Sequence, residues 1–413
     1  MIQFNKFTFD NGLRLIHHHN AVTSMVAVNL LYDVGSSDED CNKTGLAHLM
    51  EHLMFSRTKH ITKFDDVLTG VGGNSNAWTN IDVTDYYEEL PAVNLETALW
   101  LESERLLNLD LTDENIEVQK SVVIEEFKQR YLNQPYGDIL HLMHGQAYQK
   151  HPYQWPTIGK DVDTIKSFTR DDVIDFHRRH YSVNNAVMCI SGNVEFDEAV
   201  RLVEKWFGDI EGRPRLPRSL PQEPKQLSPR FMTFYSKVPN NMIFRSYHMC
   251  GRCDDDYQAT DLLSDVLGNG TSSRFHRDLI QGTDMFSEVS ASVLGSRDPG
   301  LFYIRACLAP GVDFEKANAA IDEVLNRLNA EGVTQHEVNK YVNKYISNKL
   351  FESVGYAEKA SLLSSHELLW GADGINTEND RYSQLVSDDI QRVASQVLDA
   401  NNCSTIFYGP DAN

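Results

Sequence analysis

His48, Glu51 and His52 fall within five residues, His48-Leu49-Met50-Glu51-His52, in the order H-x-x-E-H. On a helix the two histidines, four apart, project from one face. Two imidazoles so placed can hold one Zn²⁺ at about 2.0–2.1 Å each. Glu51 is next to His52 and three residues after His48, near the same face. It is placed to take a proton from water rather than to bind the metal, so the five residues suggest a zinc hydrolase with Glu51 as general base.

The flanks predict a helix. Thr44 and Gly45 are start signals, with threonine a good N-cap. Leu46, Ala47, Leu49, Met50, Leu53, Met54 and Phe55 make the segment apolar on nearly all sides, which predicts a buried helix. Two histidines and a glutamate inside such a helix are costly unless paired or metal-bound. The competing expectation is a pair of core histidines satisfied by hydrogen bonds. A catalytic zinc also needs a third protein ligand. Downstream, Ser121 to Phe127 ends another predicted helix on two adjacent acids, Glu125 and Glu126.

With that segment the sequence resembles the pitrilysin/insulinase family of metallopeptidases. The resemblance implies that a glutamate of this segment is the third ligand. Glu126, 126 − 52 = 74 residues after His52, is favoured over Glu125. Other segments fall in the family's order. Leu31 to Glu39 is similar to the strand and loop before the zinc helix, and Gly72 to Thr79 matches G-G-x-x-N-A-x-T. His151-Pro152-Tyr153 with Ile158-Gly159, and Tyr181 to Asn184 with Ile190 to Asn193, match later segments. Leu267 to Arg274 resembles the family's L-G-G-G-x-S-S-R.

The resemblance implies an α+β fold of two homologous α/β sandwich domains, each a largely antiparallel sheet backed by helices. One Zn²⁺ per chain is implied, with His48, His52 and Glu126 as its ligands. It further implies that a substrate peptide adds as a strand to a sheet edge near the metal, with Asn76 and Ala77 as the substrate-binding residues. The residue-level alternative for Asn76 is a turn cap.

Two positions depart from the family pattern. Gln119 stands seven residues before Glu126, where relatives often carry a glutamate that supports the metal site. An amide there still hydrogen-bonds but brings no charge. Ile280 and Ser287 stand where active relatives carry an arginine and a tyrosine that stabilise the oxyanion, and neither can do so. Arg277 is nearby but differently spaced. Some processing-peptidase-like relatives of this length work as pairs, one chain bringing zinc and the other the Arg/Tyr pair. That implies a heterodimer with a homologous Arg/Tyr-bearing chain, or else a homodimer, closing around a chamber for peptides and unfolded segments. The expected function is therefore a zinc-dependent metalloendopeptidase. The competing expectation is a catalytically weak or inactive structural subunit. A capture protein without turnover would need no Glu51.

The elements that must position these residues are legible in outline. Residues 211–230 contain Pro214, Pro217, Pro221, Pro224 and Pro229, a composition that cannot build a helix or a central strand. It predicts a linker between an N-terminal zinc-binding domain, 1–210, and a C-terminal homologous domain without zinc, 231–413. The segments around Gly35 and Gly251 are similar at an offset of 251 − 35 = 216, which aligns His48, Glu51 and His52 with Ser264, Leu267 and Gly268. The second copy keeps the helix and lacks the ligands. Alternating apolar stretches at Leu13–Ile16 and Met25–Leu31 predict strands, as does the N-terminal Met1–Phe7. Amphipathic stretches at Leu95–Leu107, Asp171–His180 and Phe314–Leu328 predict helices.

Composition narrows the function classes. The chain has 413 residues, enough for two cores, and 41% hydrophobic content, ordinary for a globular protein. A net charge of −21 makes the chain a poor candidate for nucleic-acid binding. No apolar run approaches a transmembrane length, so no membrane partner is expected. The start of the chain has no charged-then-apolar leader, which predicts a cytoplasmic protein. Six cysteines in this length predict no disulfide scaffold. Cys250 and Cys253 read as a loop after a strand rather than a metal site.

Overall fold

The computed structural model describes residues 1–214 and 218–411. The chain divides into two compact units, each assembled from separate stretches of sequence. Unit 1 comprises Met1–Gln129, Trp155–Pro221 and Leu350–Thr377, and unit 2 comprises Arg130–Gln154, Gln222–Lys349 and Glu378–Asn413.

Unit 1 is built on a six-stranded sheet of β1 (Asn5–Thr8), β2 (Arg14–His19), β3 (Met25–Tyr32), β4 (Asn74–Thr79), β5 (Thr84–Pro91) and β6 (Ala186–Gly192). Their order is β1-β2-β6-β3-β5-β4. All pairs are antiparallel except β2 with β6. β6 is buried along its whole length and reads Ala-Val-Met-Cys-Ile-Ser-Gly, the near-continuous apolar pattern of a strand covered on both faces. The helix Tyr356–Leu369 covers one side of β3 and β6. Its Ala360 and Leu363 close a small core with Ile16, Ala27, Val187 and Cys189. Five helices used below are α1 (Leu46–Met54), α2 (Phe64–Gly70), α3 (Leu95–Asn108), α4 (Asp113–Phe127) and α5 (Ile139–Ala147). Of these, α3 packs on β3 and β5, and α1 packs on α4 and β4.

Unit 2 repeats the plan with β7 (Arg230–Ser236), β8 (Met242–His248), β9 (Phe286–Leu294), β10 (Leu301–Leu308) and β11 (Cys403–Pro410). Their order is β7-β11-β8-β10-β9, again with one parallel pair, β7 with β11. This is the order β2-β6-β3-β5-β4 of unit 1 with each strand replaced by its counterpart, so the duplication read from the Gly35 and Gly251 segments is a duplication of topology. The counterpart of α1 is the helix Tyr257–Gly268, which carries Ser264, Leu267 and Gly268 and follows β8 as α1 follows β3. Cys250 and Cys253 lie in the loop between β8 and that helix.

The linear boundaries 1–210, 211–230 and 231–413 describe the order of the chain but not the grouping of its elements. Residues 130–154, which include α5, belong to unit 2, and residues 350–377 belong to unit 1. The proline-rich stretch contains no helix or strand among its described residues before β7, and Pro217 lies outside the described residues. It is firmly tied in both units. In unit 1, Arg218 Nη2 donates to Asp82 Oδ1 at 2.8 Å, and its Nε is 3.5 Å from Asp38 Oδ1. In unit 2, the Glu223 carboxylate accepts the backbone N–H groups of Gln149, Lys150 and His151 at 2.9–3.0 Å.

Candidate metal and catalytic site

The segment predicted to be a wholly buried helix is buried on most of its circumference and open on one stripe. Leu46, Ala47, Leu49, Met50, Leu53 and Met54 of α1 are buried. His48, Glu51 and His52 share the open stripe, with side chains 13, 14 and 22% exposed. The expected cap differs as well. Gly45, at φ +101°, is the N-cap residue and no side chain at that position caps the helix. Thr44 Oγ1 instead accepts the Lys160 N–H at 3.0 Å. The helix start is satisfied by Glu39, whose two carboxylate oxygens accept the N–H groups of Gly45 and Ala47 at 2.9 and 2.8 Å. Burial pushes the Glu39 carboxyl up to about 8, against those two bonds. A Cβ at Gly45 would stand 2.7 Å from Ile158 O, so the turn needs glycine both for its left-handed backbone and for this close approach.

α4 brings Glu126 over the same stripe. Its Oε2 is 3.3 Å from His48 Nε2 and 3.2 Å from His52 Nε2. One ligand atom from each of the three residues lies within 4.8 Å of the others. Two ligands at about 2.0–2.1 Å from a tetrahedral ion stand about 3.4 Å apart, so the spacing and the N, N, O donor set fit Zn²⁺. Glu125, the alternative acid, points away. Its side chain is 72% exposed and pairs with Lys128 Nζ at 2.6 Å.

His48 and Glu51 each feel the charged groups around them. Burial disfavours a charged His48, yet its contacts with Glu126 and Glu51 prevail and raise it to about 9. Burial would raise Glu51, but His48 and Thr79 hold it below the ordinary carboxylate value. The stripe is a place that favours positive charge. Glu51 Oε2 lies 3.4 Å from His48 Nδ1 and accepts the Thr79 hydroxyl at 2.5 Å. Beneath the C-terminal end of α1 the Arg105 guanidinium, fully buried, donates to Glu102 and Glu88 and stacks over Tyr86, Phe64 and Phe55.

Of the remaining expected site residues, Asn76 and Ala77 lie on β4, the edge strand of the unit 1 sheet. Asn76 is exposed and its Oδ1 accepts the Ala77 N–H at 2.9 Å. Gln119, two turns before Glu126 on α4, is half-buried and lines a cleft of about 360 Å³ with Phe55, Arg57, Phe64 and Glu114. Among the described residues no hydrogen bond joins Gln119 to His48, His52 or Glu126. Ile280 ends a short π-helical turn and packs against the unit 2 core, and Ser287 is exposed on β9. Arg277 forms a two-pronged bond with its neighbour Asp278 at 2.6 and 3.0 Å. Glu39 and Thr79 were not singled out by residue type. Both lie inside segments matched to the family, at the ends of Leu31–Glu39 and Gly72–Thr79.

Two family models match the chain. Residues 14–161 match the model described as insulinase (peptidase family M16), and residues 167–345 match the one described as the peptidase M16 inactive domain. The chain belongs to the peptidase M16 (insulinase) family. Among curated proteins it is similar to the zinc protease PqqE of Helicobacter pylori, at 28% identity over 98% of this chain and 92% of that one. An uncharacterized zinc protease of Mycobacterium leprae is 28% identical over the same shares. Among solved structures, a protease from Helicobacter pylori superposes with a TM-score of 0.92, at 27% identity over 99% of this chain and 100% of that one. A peptidase M16 inactive domain from Pseudomonas fluorescens shares the fold, with a TM-score of 0.88 at 17% identity over 100 and 98% of the two chains. No helix among the described residues is long and apolar enough to cross a membrane.

Proposed function

We propose that this M16 family chain is a zinc metalloendopeptidase acting on peptides or unfolded segments, with one Zn²⁺ held by His48, His52 and Glu126. The observation that carries the reading is the convergence of those three side chains from α1 and α4, with Glu51 beside them on the same stripe. The zinc proteases among the curated relatives support the choice of metal. A bound zinc ion supplies Lewis acidity, polarising the scissile carbonyl and making water a stronger acid. Glu51 takes the water's proton and passes it to the leaving amine. The free edge of β4, with Asn76 and Ala77, offers main-chain groups for a substrate added as a strand. Ile280 and Ser287 leave this chain without an oxyanion donor of its own there. A homologous chain bearing the Arg/Tyr pair completes the site in a heterodimer, with a homodimer the second choice.

One observation favours a second reading. Ile280 and Ser287, inside the region matched to the inactive-domain model, suit a structural subunit of a peptidase-like complex. Zinc content and peptide hydrolysis, for the wild type and Glu51→Gln, with and without a homologous partner, separate the two. Stoichiometric zinc in both proteins with hydrolysis lost only in Glu51→Gln is the expected result. Zinc without turnover in any pairing rejects the peptidase reading in favour of the subunit.

A further inference from the structure

The machinery above leaves Thr79 without a task. It is the last residue of β4, and its hydroxyl donates to Glu51 Oε2 at 2.5 Å. Among the described residues it is the one hydrogen-bond donor to Glu51 besides His48. A charge-assisted O–H···O⁻ bond of this length is among the stronger hydrogen bonds a side chain makes.

The position is held firmly from behind. Thr79 pairs with Thr84 across the β4–β5 hairpin, and Thr84 Oγ1 donates to Val34 O at 2.9 Å. The hairpin turn is closed by Asn80, whose Oδ1 accepts the Asp82 and Val83 N–H groups at 2.7 and 2.8 Å. Asn80 O in turn accepts the Ser36 N–H at 3.1 Å. A β-branched side chain on so fixed a backbone has few rotamers to choose from. Residues 74–78, by contrast, run along the open edge of the sheet. Thr79 therefore stands where the candidate peptide bed ends and the candidate base begins.

We propose that Thr79 is a positioning residue. Its hydroxyl fixes the Glu51 carboxylate and ties the orientation of the base to the edge strand that receives the peptide. The inference deepens the peptidase reading and rests on it for the role of Glu51. A bed residue would act on substrate affinity, and a support of the metal helix would act on zinc. A residue that orients the base acts on turnover and on any ligand group that must hydrogen-bond to Glu51.

The test compares Thr79→Val, which keeps the shape and removes the hydroxyl, with Thr79→Ser, which keeps the hydroxyl, in the full chain with its partner. Thr79→Val is expected to lower kcat about tenfold or more and to change KM less than about twofold. Zinc affinity, from chelator competition, should stay within about twofold. Thr79→Ser should regain most of kcat. In the Glu51→Gln background, Thr79→Val should lower residual hydrolysis no further. A readout without turnover is the binding of a short peptide hydroxamate, whose hydroxyl hydrogen-bonds to the base. Thr79→Val should weaken it about tenfold while leaving an unmodified peptide bound as before. A rise in KM at unchanged kcat, a fall in zinc affinity parallel to kcat, or hydroxamate binding equal to wild type each overturns the proposal. A wild type that turns over no peptide in any pairing, yet loses hydroxamate affinity in Thr79→Val, rejects the peptidase reading and upholds the positioning role.

Discussion

At the scale of single residues, two adjacent glutamates of α4 differ more than their neighbourhood in the sequence suggests. Glu126 faces two imidazole nitrogens at 3.2 and 3.3 Å, whereas Glu125 reaches Lys128 in solvent. Removing a ligand carboxylate from a three-residue donor set should weaken zinc binding by more than about a hundredfold, and removing a solvated one should not. Chelator competition on Glu126→Gln and Glu125→Gln measures the contrast directly, and equal losses in the two would reject the assignment. The His-x-x-Glu-His spacing was legible because helical geometry alone puts the three side chains on one stripe. The choice of Glu126 over Glu125 came from the family resemblance and not from helical geometry, since a one-residue step rotates a helical side chain by about 100° and only the partner helix decides which direction is inward. The roles of Glu39 and Thr79 were hidden for a related reason. Glu39 reaches Gly45 and Ala47 across the turn before α1 and Thr79 reaches Glu51 from another element, pairings that the fold sets and no residue spacing announces.

At the scale of elements, strands and helices followed from apolar periodicity, and β2, β3, α3 and the helices Arg170–His180 and Phe314–Glu331 lie where the pattern predicted them. What periodicity cannot tell is which sheet an amphipathic helix will cover. The helix Tyr356–Leu369 comes from the second half of the chain and lies on the sheet of unit 1. It reaches a polar group there. Ser361 Oγ donates to Asp85 Oδ2 at 3.1 Å, and Asn29 Nδ2 donates to Asp85 Oδ1 at 2.6 Å. Burial raises the Asp85 carboxyl to about 7 despite both bonds. A carboxyl raised on folding lends stability that is fully present below its unfolded value, near 4, and lost as the pH climbs through 7. Asp85→Asn, which cannot ionise, should therefore gain on the wild type by about 2–4 kcal/mol between pH 5 and pH 8. Urea midpoints of the zinc-free proteins at the two values check this, and a constant difference between them would refute it.

At the scale of the whole molecule, the chain passes between units at 129/130, 154/155, 221/222, 349/350 and 377/378. The proline-rich stretch was legible as a divider because proline excludes regular structure locally, while exchanged segments leave no mark in local composition. A fragment ending at Pro221 lacks Ala360 and Leu363, leaving Ile16, Ala27, Val187 and Cys189 bare on the sheet. Such a fragment should unfold without a cooperative transition and bind a hydrophobic dye, whereas the full chain should not. A cooperative transition at the midpoint of the full chain would refute this. The same exchange sets a timetable on the ribosome. Unit 1 cannot close when its main segments emerge, because 377 − 221 = 156 further residues must first be made. At about 5–20 residues per second that is roughly 8–30 s during which a half-covered sheet is open to chaperones, to proteases and to other nascent chains.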